Sequence, residues 1–283
     1  MPGCYNGCSF SYGVGMRITF IGGGIMAEAI LNGVLAKNLA TPTDIAVVEL
    51  IETRRAHLTQ RYSIVTTNDF QSITATGDIV VLAVKPQDLS KAMVGIKGRL
   101  TSAQAVLSIV AGVKMKTITS GLAHEAVIRV MPNTPAQIGL AASVWTATQE
   151  VAPQRLEDAR NLIESIGEEV YVTDEKYVDM ATGLSGSGPA YVFMFIESVT
   201  DAGVHVGLTR DMSAKLAVQT VLGSAQLVRQ SGLHPAELRN MVTSPGGTTA
   251  EGTLVLEGAG FRTSVIEAVA AAYEKALLLG EEE

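Results

Sequence analysis

The sequence predicts an α/β fold in two halves: a doubly wound, mainly parallel sheet first, then an all-helical segment. Three observations predict it. Short apolar runs alternate with helical patterns up to about residue 173. The first run ends in three consecutive glycines that lead straight into a helical pattern. Beyond Thr173-Asp174 no strand pattern is convincing, and apolar residues recur at helical spacing.

Ile18 to Ile21 reads as a short strand rich in β-branched residues, and Ile25 through Leu35 as a helix. Between them lies Gly22-x-Gly24-x-x-Ala27. In such a turn the first glycine allows the sharp bend and the second lets the backbone approach a pyrophosphate. The small third residue lets helix and strand pack closely. The anion then rests on unpaired N–H groups at the helix N-terminus. This is a Rossmann-type dinucleotide site, with Gly22, Gly24, Ile25, Met26 and Ala27 as its first contacts. Thr41-Pro42-Thr43 breaks the helical pattern, and Asp44 to Val48 forms a second strand. Glu49 at its end can accept hydrogen bonds from an adenine ribose and repel a 2′-phosphate. Arg54 and Arg55 follow closely and can bind a 2′-phosphate. The residues leave NADH and NADPH both open.

Asp78 to Val84 is nearly continuous in apolar residues, as at the centre of a parallel sheet. Further strands are expected at 105–110, 126–130, 139–145 and 169–172, with helices at 86–98, 114–121 and 153–166. The loops at Gly22, Lys85, Ala111 and Asn133 follow strands, and ligands gather at the carboxyl ends of such strands. In the second half, helices are expected at 175–182, 189–206, 210–231, 235–242, 249–258 and 262–279. The stripe Tyr191, Phe193, Met194, Phe195, Ile196 and Val199 is wider than one core-facing side needs, which predicts a subunit interface.

Net charge is −7, with no run of lysine and arginine, which argues against nucleic acid or an anionic membrane as partner. No apolar run approaches the roughly 20 residues of a membrane span. The two cysteines, Cys4 and Cys8, both lie in the first ten residues. The core therefore has no disulfide framework, which fits a reducing cytoplasm. Cys-x-x-x-Cys supplies half a zinc site at most, so no metal is expected. Residues 1–15 lack the charged and apolar regions of a signal peptide and read as a flexible extension ahead of Met16. His57, His124, His205 and His234 are scattered and read as structural or exposed.

Two polar glycine-rich loops interrupt the helical half. One is Thr182 to Tyr191, with Pro189 suited to the first position of the next helix. The other is Thr243 to Glu251. Thr248 and Glu251 have capping-box spacing, so a helix is expected to begin there. Gly246 and Gly247 leave bare N–H groups beside it, a nest able to bind a small carboxylate without an arginine.

With these loops the chain resembles pyrroline-5-carboxylate reductase from Met16 to about Leu279. The resemblance covers Gly22-Gly23-Gly24, Ala83-Val84-Lys85-Pro86-Gln87 and Val130-Met131-Pro132-Asn133-Thr134-Pro135. It continues through Gly183-Leu184-Ser185-Gly186-Ser187-Gly188-Pro189-Ala190-Tyr191 and Thr243-Ser244-Pro245-Gly246-Gly247-Thr248-Thr249. It implies that NADPH or NADH delivers hydride to the C=N carbon of a cyclic imino acid, 1-pyrroline-5-carboxylate, giving L-proline in the last step of proline biosynthesis. By position, Ser244, Gly246 and the N–H groups of Gly247 and Thr248 would hold the carboxylate. The Thr249 hydroxyl, the catalytic group, would hydrogen-bond the ring nitrogen. Val84, Lys85, Pro86 and Asn133 would join Gly22, Glu49 and Arg54 in the cofactor site, with Asn133 and its prolines bordering the nicotinamide. The resemblance also implies a homodimer and, in many members, a ring of dimers (a decamer).

The expected division is therefore 1–15 extension, 16–173 NAD(P)-binding Rossmann domain, and 174–283 helical dimerisation and substrate-binding domain. Two residues depart from the family pattern. Thr253 stands where an aliphatic residue is usual, and Glu49 where many NADPH-preferring members lack an acid. A dehydrogenase related to the β-hydroxyacid dehydrogenases is the nearest alternative, but it would need a catalytic lysine, and neither Lys176 nor Lys215 follows the expected glycine-rich helix start. A non-catalytic NAD(P)H-binding protein would have no use for the Ser244–Thr249 loop.

Overall fold

The computed structural model describes residues 15–71 and 77–281. Apart from Gly15, the expected extension over 1–15 lies outside these residues, as do both cysteines. Short β-branched runs become β1 (Ile18–Ile21), β2 (Ile45–Val48), β3 (Val65–Thr67), β4 (Ile79–Leu82) and β5 (Ala105–Ser108). They are followed by β6 (Val127–Met131), β7 (Ala141–Ala147) and β8 (Gly167–Tyr171). Between them lie α1 (Ile25–Ala36), α2 (Glu52–Tyr62), α3 (Pro86–Ile96), α4 (Met115–Leu122) and α5 (Pro153–Glu164). The sheet order is β3-β2-β1-β4-β5-β6-β7-β8, and every pair is parallel except β6 with β7. This is the expected doubly wound sheet. The chain builds outward from β1 on one side and then resumes at β4 on the other, so the topological switch lies between β1 and β4.

Both faces of the sheet are covered. Ile79 and Val81 of β4 point into one core with Ile30, Val34, Leu162 and Ile163 of α1 and α5. Val80 and Leu82 point into the other with Leu89, Met93, Ile118 and Leu122 of α3 and α4. Alternate side chains go to opposite faces, so a strand buried on both reads as one continuous apolar run.

The described residues divide into two compact units, one running up to residue 182 and including 276–281, the other of residues 183–275. The first therefore extends past residue 173, where strand patterns end, to include α6 (Lys176–Ala181). The reason is a buried ion cluster. Arg129 on β6 is buried and donates to Asp179 Oδ1 at 2.7 Å and to Glu175 Oε1 at 2.8 Å. Lys114 also pairs with Asp179, and the Met115 N–H donates to Glu175 at 2.7 Å.

The second unit holds α7 (Gly188–His205), α8 (Arg210–Ser231), α9 (Pro235–Met241), α10 (Thr248–Gly258) and most of α11 (Phe261–Glu281). α7 packs on α8. At their crossing, a Cβ on Gly203 would lie 2.6 Å from Ser213 Oγ, so glycine permits the approach. This unit has little interior of its own. Phe193, Met194, Leu254 and Ile266 are 60%, 65%, 68% and 68% exposed, far more than an isolated helical domain leaves to water. Among the described residues no helix is long and apolar enough to cross a membrane.

The ion cluster gives the first test. Arg129→Met takes the buried guanidinium from Asp179 and leaves that carboxylate only the partly exposed Lys114, and breaking a buried pair costs about 3–5 kcal/mol. Urea unfolding at fixed protein concentration is expected to show a loss of that size. A loss under about 1 kcal/mol would mean that α6 is held by packing alone.

Candidate active site

The first candidate station is the turn from β1 to α1. The Gly22 N–H donates to the Val48 carbonyl at 2.8 Å, and its φ is +100°. A Cβ there would sit 2.7 Å from the Ala83 carbonyl oxygen, so side-chain-bearing residues are excluded twice over. Gly24 caps α1 without any side-chain bond, and a Cβ on it would meet nothing within 4 Å. The N–H groups of Ile25, Met26 and Ala27 fall in the first turn, where a helix supplies no acceptor. Ala27 is buried, which lets the helix lie close to the sheet. Open space above bare N–H groups at a helix N-terminus fits a pyrophosphate.

The Gly23 peptide is held from both sides. Its N–H donates to Glu49 Oε2 at 2.9 Å, and Glu49 Oε1 accepts from the Ile51 N–H at 2.9 Å. Its carbonyl accepts from Arg54 Nε at 2.5 Å. Arg54 also reaches the Gly24 carbonyl and pairs with Glu28. Glu28, in the first turn of α1, further accepts from Tyr62 at 3.0 Å and lies 3.0 Å from His57 Nε2 and 3.5 Å from Arg61. Burial pushes the Glu28 carboxyl up. Hydrogen bonds from His57, Arg54 and Tyr62 outweigh burial and hold it down at about 2.

The other expected nucleotide contacts lie on the same sheet edge. Val84 and Lys85 follow β4, and Pro86 begins α3 at a position that needs no N–H. Asn133 follows β6 and is buried. Its Oδ1 accepts from the Ala142 N–H at 3.0 Å, which ties the Met131–Pro135 loop to β7. The turn Thr134–Ile138 then packs on α1. Because β1, β2, β4, β5 and β6 are parallel, Gly22, Glu49, Val84, Lys85 and Asn133 all emerge at their carboxyl ends.

The second station is the turn before α10. The Gly247 N–H donates to the Ser244 carbonyl at 3.0 Å, with Pro245 second and Gly246 third in the turn. Gly246 has φ +65°, as a type II turn requires. A Cβ on Gly247 would lie 2.3 Å from Ser244 Oγ, so the serine hydroxyl sits directly over the glycine. The expected capping box is corrected here. Gly247, not Thr248, is the N-cap, with no side-chain bond, because its extended backbone (φ −83°, ψ 166°) already starts the helix. Its carbonyl accepts from Ala250 and Glu251. Thr248 and Thr249 thus occupy the first two helical positions. Their N–H groups and hydroxyls have no partner among the described residues. The Gly247 N–H is used within the turn, so the free donors differ by one residue from those expected.

The Thr253 hydroxyl donates to the carbonyls of Thr249 and Ala250 at 2.9 and 3.0 Å. The departure from an aliphatic residue therefore leaves no unpaired polar group, and it braces the turn that carries Thr249. The other glycine-rich loop is not open. Thr182–Gly186 forms a π-helical turn before α7, because Gly183 packs against the α11 backbone, 2.7 Å from its Cβ position to the Val269 carbonyl oxygen. Pro189 accordingly follows Gly188 as the second residue of α7.

Comparison with known proteins decides the family. A family profile for pyrroline-5-carboxylate reductase dimerisation matches residues 175–279, and one for NADP oxidoreductases dependent on coenzyme F420 matches 17–112. Pyrroline-5-carboxylate reductase of Synechocystis is 42% identical over 266 residues, 94% of this chain and 99% of that protein. The chain belongs to the pyrroline-5-carboxylate reductase family. Solved structures agree. The reductase of Coxiella burnetii superposes with a TM-score of 0.87 at 33% identity, over 94% of this chain and 99% of that one. The reductase of Plasmodium falciparum, with NADP bound, gives 0.85 at 30% over 94% and 98%. This family member is an NAD(P)H-dependent oxidoreductase with a dimerisation domain.

Sequence reasoning missed Glu28, His57 and Tyr62. They shape the cofactor end from a distance of roughly 30 residues, and only an acid in a first helical turn hinted at it. The remaining histidines are structural where their contacts are known. His124 meets the Gln104 carbonyl and His234 caps α9.

Glu28 generates the second test. Its folded value lies below the ordinary 4.5. Its stabilising contribution is thus complete above about pH 4.5 and is lost as pH falls toward 2. Glu28→Gln is expected to be less stable at neutral pH, with a shallower decline between pH 4.5 and 2. Parallel curves of melting temperature against pH for the two proteins would show that Glu28 is not so held.

Proposed function

We propose that this chain reduces the C=N bond of 1-pyrroline-5-carboxylate to give L-proline, with NADPH or NADH as reductant. The observation that carries it is the start of α10: two unpaired N–H groups, an uncapped glycine N-cap and a free threonine hydroxyl within three residues. That set suits a carboxylate with a nitrogen beside it, and it needs no basic side chain. The family relationship and the dinucleotide turn support the same reading.

The residue roles are those that the family resemblance implies, position by position. Gly22, Gly24, Ile25, Met26 and Ala27 hold the pyrophosphate, and Glu49 with Arg54 borders the adenosine. Val84, Lys85, Pro86 and Asn133 border the nicotinamide, which supplies hydride to the C=N carbon when bound. Ser244 and the free N–H groups of Thr248 and Thr249 orient the carboxylate, on a turn shaped by Gly246 and Gly247. The Thr249 hydroxyl hydrogen-bonds the ring nitrogen as it turns from iminium to amine. Reduction of a substrate that arrives protonated needs no strong acid, so orientation and fixed dipoles supply most of the rate. On this reading the sheet unit binds the nucleotide, and the helical unit of residues 183–275 binds substrate and dimerises. A cytoplasmic location fits a chain whose only cysteines precede residue 10.

Steady-state oxidation of NADH and NADPH with and without the pyrroline substrate tests the activity itself. Thr249 tests the mechanism. Removing one preorganised hydrogen-bonding group typically costs about 10²–10³ in kcat. Thr249→Val is expected to lose that much with little change in cofactor affinity, while Thr249→Ser keeps most activity. Near wild-type kcat in Thr249→Val would remove the hydroxyl from the mechanism.

The exposed apolar residues of α7, α10 and α11 support a homodimer, with a ring of dimers, a decamer, as the larger form. Light scattering at assay concentration is expected to give the mass of a dimer or a multiple of it. A monodisperse, fully active monomer would overturn this.

A further inference from the structure

We propose that Glu49 makes this chain select NADH over NADPH, and that Arg54 is a positioning residue for the glycine turn and not a ligand for a 2′-phosphate. The inference rests on the dinucleotide role of the β1–α1 turn.

Glu49 directly follows β2, the neighbour of β1 on the side away from the switch point. A side chain at that place in a doubly wound sheet faces the adenine ribose. Its orientation is fixed. One oxygen accepts from the Gly23 N–H and the other from the Ile51 N–H, both at 2.9 Å. Each carboxylate oxygen has capacity for a further hydrogen bond. The carboxylate can therefore take the ribose hydroxyls without moving and without giving up either backbone bond. A 2′-phosphate in their place would bring a second anion against a carboxylate that cannot swing away.

The nearby cations are committed elsewhere. Arg54 is clasped by the Gly23 and Gly24 carbonyls and by Glu28. Arg55 donates to the carbonyls of Glu49 and Leu50 at 2.7 and 2.8 Å. Arg61 and His57 turn toward Glu28. Recruiting Arg54 to a phosphate would strip the Gly23 carbonyl of its donor and leave Glu28 with one cation fewer. The sequence set one acid against two arginines and could not rank them. The contacts rank them, because the acid faces the ribose position and both arginines are engaged with the main chain.

The test is direct binding, measured by calorimetry on the full chain without imino acid, for NADH and NADPH, with kcat/KM ratios alongside. Wild type is expected to bind NADH tighter than NADPH by about tenfold or more, since like-charge juxtaposition is strongly unfavourable. Glu49→Gln keeps an oxygen for the Gly23 N–H and loses the charge. It is expected to bring the two affinities within about threefold while still binding NADH. Glu49→Ser is expected to move the ratio the same way, with weaker NADH binding as the turn loses its acceptor. Arg54→Gln is expected to weaken both cofactors alike and leave the ratio unchanged. Equal or tighter NADPH binding by wild type, or an unchanged ratio in Glu49→Gln, overturns the proposal. So does selective loss of NADPH binding in Arg54→Gln. Pyrroline reduction that prefers NADPH would refute this inference and keep the proposed function. NADH-selective binding without pyrroline reduction would do the reverse.

Discussion

The nucleotide end of this protein depends on one peptide group. Gly23 sits between the bend that Gly22 makes and the bare helix start that Gly24 leaves, and both of its polar atoms are held by side chains from beyond β2. Without such partners, a glycine-rich turn would sample many conformations, since glycine has the largest backbone freedom to lose. Glu49 and Arg54 restrict it from opposite sides, and Glu28 holds Arg54 in turn. The bare N–H groups at the start of α1 are thus presented in a fixed direction. Preorganisation of this kind lowers the ordering cost of binding.

The two units solve the burial problem differently. The sheet unit covers both faces with its own helices, and its central strand β4 is fully buried. It also spends a buried ion cluster, Arg129 with Glu175 and Asp179, on anchoring α6. Such clusters contribute little net stability against an apolar alternative, but removing one partner leaves a buried charge uncompensated. The helical unit has no comparable interior. Its long helices leave Phe193, Met194 and Leu254 largely in water, an apolar surface of the kind a dimerisation domain presents to a second chain.

Much of this was legible in the sequence. The central strands announce themselves as unbroken apolar runs, and the helical half by spacing and by glycine punctuation. What was not legible has physical reasons. α2 carries four charged residues in Glu52, Arg54, Arg55 and Arg61 and buries only Leu58, so it has almost no apolar signature. β3 is a three-residue edge strand, too short for any period. The capping box at Thr248 fails because spacing identifies a side chain able to cap but not the backbone that precedes it. There, the Pro245-Gly246 turn delivers Gly247 in extended conformation one residue earlier. The Glu28 cluster joins α1 to α2 by contacts that no local pattern encodes.

The shift at α10 bears on chemistry. With a threonine side chain as N-cap, one helix-start N–H would be consumed by the protein itself. A glycine N-cap leaves the first-turn donors free, and Ser244 folded over Gly247 supplies a hydroxyl at the same spot. A carboxylate can then be bound by dipoles alone. An arginine in that position would hold a carboxylate more tightly, but it would also place a full positive charge beside a cationic iminium. That charge would disfavour the protonated substrate on which hydride addition depends. On the proposed reading, neutral N–H donors would bind the carboxylate and leave the iminium charge to be neutralised by the reaction itself, which would weight the stabilisation toward the transition state.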